Sequence, residues 1–88
     1  MTYKVHVSNP PYGPKNDRNC VIDFLNDKGQ SIASFPIRNG DIHCELVSDS
    51  LKGSTVKVMR RAALHKFMEL EHPTTTRMTP DGMIDVCL

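Results

Sequence analysis

The 88-residue chain carries 11 Lys and Arg against 10 Asp and Glu, a net charge of +1. No global field therefore draws it to nucleic acid or to a membrane, and any electrostatic role must be local. Apolar content of 39% and charged content of 24% exclude wholesale disorder, and the length predicts one small domain, residues 1–88, with an adequate but not generous core.

The opening MTYKVHV lacks the apolar run of a signal peptide, and no segment approaches membrane-spanning length. The three cysteines, Cys20, Cys44 and Cys87, are odd in number and far apart. They read as free thiols in a reducing compartment, and the expected location is the cytoplasm.

Tyr3 to Val7 alternates apolar and polar residues, the pattern of a half-buried strand. Ser8 to Asn19, SNPPYGPKNDRN, has three prolines and a glycine and reads as a long loop. Such loops often carry function in compact domains. Its Asn9-Pro10-Pro11-Tyr12 resembles the NPPY motif of amino-methyltransferases acting on DNA bases, in which Asn and backbone hold the target amine and Tyr stacks on the flipped base. The resemblance covers four residues of 88. A glycine-rich loop after a first strand is missing, and the chain is too short for the cofactor-binding domain, so no methyltransferase is expected. Tyr12, with Lys15 and Arg18 nearby, instead suits contact with a protein groove or a stacked base.

Cys20 to Leu25 is rich in strand formers, and Asn26-Asp27-Lys28-Gly29 reads as a hairpin turn. The return strand, Gln30 to Ile37, contains Pro36, which predicts an edge position or a bulge. Asn39-Gly40 is a strong hairpin signal, and Ile42 to Val47 alternates cleanly. This alternation turns Ile42, Cys44 and Leu46 inward, alongside Cys20, Ile22 and Phe24.

Ser54 to His72 is the segment with sustained helical periodicity. Val56, Met59, Ala63, Phe67 and Leu70 form one apolar stripe. Ser54 is the expected N-cap, and Pro73 the stop. After the helix, TTTRMT, the turn Thr79-Pro80-Asp81-Gly82 and a last strand from Met83 to Leu88 complete the pattern. The expected fold is α+β in two layers: an antiparallel β-meander of about four to five strands with one α-helix packed across it.

The charge order on the helix is unusual. Lys57, Arg60 and Arg61 occupy its first half, with Lys52 before and Lys66 after, while Glu69 and Glu71 end it. This opposes the helix dipole. These bases either face the acidic remainder of the chain, where residues 69–88 hold one base against four acids, or meet an acidic partner or phosphates. Leu64 and Met68 project near Lys57 and Arg61, off the core stripe. Bases mixed with Arg, Met and Leu match the composition of a protein interface. Alternatively, Leu64 and Met68 widen the buried stripe.

Close ligand pairs for zinc are missing, so no metal and no cofactor is expected. The cysteines and histidines form no arrangement for nucleophilic catalysis, and Asp23, Asp41, Asp81 and Asp85 no paired-acid site, so no enzyme is expected. The leading expectation is a small non-enzymatic binding protein. It recognises a protein partner with an acidic surface through Lys57, Arg60, Arg61, Leu64 and Met68, together with Tyr12, Lys15 and Arg18. It acts as a steric inhibitor or regulator in the manner of small phage or viral accessory proteins, in that case in the host cytoplasm. The alternative is a nucleic-acid-binding protein that sets the same bases on phosphates and stacks Tyr12. An open sheet edge leaves a homodimer compatible with either.

Overall fold

A computed structural model describes residues 2–9, 20–71 and 82–86. Tyr12, Lys15, Arg18, Cys87, the NPPY segment beyond Asn9, the TTTRMT run and most of the turn before Gly82 lie outside the described residues.

Among the described residues six strands and one helix follow in the order β1 (Thr2–Ser8), β2 (Cys20–Leu25), β3 (Ser31–Arg38), β4 (Asp41–Ile42), β5 (Leu46–Val47), α1 (Gly53–Glu71) and β6 (Gly82–Asp85). All strand pairs are antiparallel. The sheet order is β4-β3-β2-β1-β6, with β5 also pairing β3. The two-layer α+β architecture with a β-meander is therefore present. The meander runs from β1 to β5 and ends at one edge, whereas β6 adds to β1 at the other. The helix lies between β5 and β6 in the chain, and its buried residues share one core with those of the strands.

Both hairpin turns form as their sequences dictate. At Asn39-Gly40 both residues have positive φ, 54° and 83°, the type I′ geometry that matches strand twist. In the β2–β3 turn Gly29 takes φ 80°, and Asn26 Oδ1 accepts from the N–H groups of Lys28 and Gln30, 2.9 Å each. The Asn side chain thus imitates a backbone turn.

Cross-strand partners share a face, and the rows are consistent. Val5 faces Phe24, which faces Ala33; Val7 faces Ile22, which faces Phe35; Cys20 faces Ile37. All of these are buried, together with Met59, Ala63, Phe67 and Leu70 of α1 and Val86. Val56, the first residue of the expected stripe, packs half-buried against them. Phe24 links two edge-to-face ring contacts, to Tyr3 at 6.3 Å and to Phe35 at 5.8 Å between centroids. That geometry favours the ring quadrupoles as well as the burial.

Two expectations need correction. The segment from Ile42 to Val47 is not one alternating strand. Ile42 pairs with Ile37, but Leu46 pairs with Ser34 and Val47 with Ala33, so one extra residue is accommodated between the two short strands. Such a bulge reverses which side chains face the core. Val47 lies opposite Ala33 and Leu46 opposite Ser34, both exposed, at 39% and 46%, and Cys44 is exposed. Pro36 explains the break. It sits in a strand paired on both sides, and its C=O accepts from His43 N–H at 2.7 Å. In an antiparallel strand a residue's N–H and C=O point to the same neighbour, so the N–H that Pro36 lacks would have faced the irregular stretch 43–45. The bulge expected from Pro36 is present; the edge position is not.

The second correction concerns the helix start. The helix begins at Gly53, and Val56 N–H donates to Lys52 C=O at 3.0 Å. The cap position therefore falls on Lys52, and Ser54 is already inside the first turn.

Candidate functional site

The helix presents two flanks beside its buried stripe. Lys57, Arg60, Arg61 and Leu64 recur at helical spacing on one of them and together border a shallow depression of about 360 Å³. The three basic residues are exposed, and Leu64 is half-buried between them. Met68, one turn beyond Leu64 on the same flank, is 53% exposed. Met68 therefore does not extend the buried stripe. Five of the eight expected contact residues thus lie on one surface, and the other three, Tyr12, Lys15 and Arg18, fall outside the described residues.

Electrostatics set this flank apart. Among the described residues the ion pair on the helix joins His65 Nδ1 to Glu69 Oε1 at 3.2 Å, and none of Lys57, Arg60 and Arg61 pairs with a carboxylate. The first turn of α1 holds no acid and the last turn no base, so neither end compensates the helix dipole. The expectation that these bases are neutralised by the acidic remainder of the chain thus finds no direct contact among the described residues.

Along the opposite flank, a second groove of about 400 Å³ lies between α1 and β6, with Val58, Ala62 and Ile84 among its walls. Sequence reading missed it because the helix and β6 meet only in the folded sheet. The available signal was the pair Val58 and Ala62, two apolar residues four apart and off the main stripe.

Burial pushes the Cys20 thiol up to about 11, which holds it protonated and poorly nucleophilic. Among the described residues no group of three or more His, Cys, Asp or Glu is placed to hold a metal ion. No described helix is long and apolar enough to cross a membrane. Comparisons with family models, with curated proteins and with solved structures return no match, so the chain's own residues carry the functional reading.

Proposed function

We propose that this chain is a non-enzymatic binding protein that recognises an acidic surface of a protein partner through the flank of α1 bearing Lys57, Arg60, Arg61, Leu64 and Met68. It acts by occupying its partner's surface, as a steric inhibitor or regulator of the kind that phages and viruses place in a host cytoplasm. One observation carries the reading: three bases without carboxylate partners among the described residues surround a half-buried Leu64, with Met68 open beside it. Like charges three and four residues apart on one helix face, Lys57 with Arg60 and Arg61, cost stability. An acidic partner offsets that cost on binding. The apolar residues at the centre supply affinity, and the charged rim supplies orientation and rate.

The test is capture from native host lysate with tagged wild type and Arg60→Glu/Arg61→Glu, each verified as folded by circular dichroism, with and without nuclease. The expected result is one stoichiometric protein, resistant to nuclease, whose retention drops at least about tenfold in the double variant. Equal capture by both forms contradicts the reading. Captured material that nuclease removes, with steep salt dependence, replaces it with phosphate binding.

A further inference from the structure

The groove between α1 and β6 has an apolar floor and a basic rim. Val58 and Ala62, one turn apart, and Ile84 from the strand are half-buried at the margin of the core. Arg61, His65 and Lys66 stand around them. Glu69, the acid at this rim, lies 3.2 Å from His65 and so already has a basic partner.

The groove opens over an edge of the sheet. β6 pairs with β1 and has no second neighbour among the described strands. Alternate residues along an antiparallel edge strand direct their N–H and C=O groups away from the sheet. Met83 stands at this edge 62% exposed, bordering both the groove and a shallow hollow beside Lys4 and Leu25 on the outer face. A flexible thioether at such a place adapts to differently shaped side chains.

We propose that this groove binds an extended acidic segment of another polypeptide, added as a strand beside β6. Backbone hydrogen bonds to the β6 edge supply affinity that is independent of sequence, and the groove supplies selection. Apolar side chains on the helix-facing side of the added strand rest on Val58, Ala62 and Ile84. Carboxylates flanking them reach Arg61 and Lys66. A second copy of this chain is a poor occupant, because a two-fold axis at β6 brings Arg61 and Lys66 toward their own copies. The groove lies on the opposite flank from the surface of the proposed function and shares only Arg61 with it, so either stands without the other.

The test pans a displayed library of random peptides of strand length, about six residues, against the folded wild-type chain. Selected peptides are expected to carry Asp or Glu together with apolar residues, and to slow hydrogen exchange at the Met83 or Ile84 amides. Replacing their acids by lysine should weaken binding about tenfold, from two or three few-fold charge contributions. Lys66→Glu should weaken the acidic peptide severalfold, whereas Arg60→Glu, on the far flank, should leave it unchanged. Selection of no peptide, of peptides without acids, or of peptides that leave β6 exchange unaltered overturns the proposal. So does a concentration-dependent dimer of the free chain that protects β6, since that assigns the groove to a second copy.

Discussion

The start of α1 can be tested by adding what it lacks. Val56 N–H bonds to Lys52 C=O, so residue 52 is the cap, yet its side chain is a lysine, which cannot accept a hydrogen bond from the first-turn N–H groups. Lys52→Asp supplies that acceptor, worth about 0.5–2 kcal/mol. It also replaces a positive charge with a negative one at the positive end of the dipole, worth a further 0.3–1 kcal/mol or so. Lys52 is exposed, so the substitution disturbs no packing. A gain of about 1–3 kcal/mol raises the melting temperature of a domain this size by roughly 4–24 °C. Thermal unfolding followed by circular dichroism at 222 nm measures it, with Ser54→Ala as the control. A Ser cap lost from position 54 costs about 1 kcal/mol, whereas a Ser inside the first turn is replaced by Ala at little cost or a small gain. A stabilising Lys52→Asp with a neutral Ser54→Ala supports a helix that begins at Gly53. No gain at position 52 with a clear loss at position 54 refutes it and places the start where the sequence first suggested.

Other consequences follow from the core, the thiols and the turns. Phe35→Ala removes a fully buried ring that packs edge-to-face on Phe24, and should cost about 3–5 kcal/mol in chemical denaturation, a large share of the stability of a small domain. Cys44, exposed, should alkylate at neutral pH in the folded chain while Cys20 should not, as peptide mapping by mass spectrometry would show. The Cys20 thiol is raised to about 11 by burial, so the unfolded chain loses this proton first. Stability contributed by the neutral thiol is present at neutral pH and should decline as pH rises from the ordinary thiol range toward 11. Gly40→Ala meets no steric neighbour but sits at φ +83°, so backbone strain alone should destabilise the hairpin by about 1 kcal/mol.

What the sequence disclosed follows the range of each signal. The stripe from Val56 to Leu70 and the turns at Asn39-Gly40 and Gly29 are local, set by periodicity of 3.6 and by residues that tolerate positive φ, and they appear in the fold as read. The inward set Cys20, Ile22 and Phe24 was legible for the same reason. Cys44 and Leu46 were misassigned because the alternation from Ile42 to Val47 is unbroken in sequence. The extra residue there belongs to the pairing with β3, where Pro36 withholds an N–H. The cap at Lys52 was illegible because a serine two residues on offers the better local signal, and the chain does not use it. On the surface, Lys57, Arg60, Arg61 and Leu64 share a flank by helical spacing alone. The groove beside β6 joins residues about 20 apart in sequence, and nothing local announces it.

The most direct test of the central proposal is the methyl NMR spectrum of the labelled chain with and without the captured protein partner. The account predicts that the Leu64 and Met68 methyl signals shift or broaden on addition of the partner, while Ile22, buried beneath the sheet, stays in place. Binding that leaves Leu64 and Met68 unchanged would contradict it, and would return the basic flank of α1 to the status of a solvated surface.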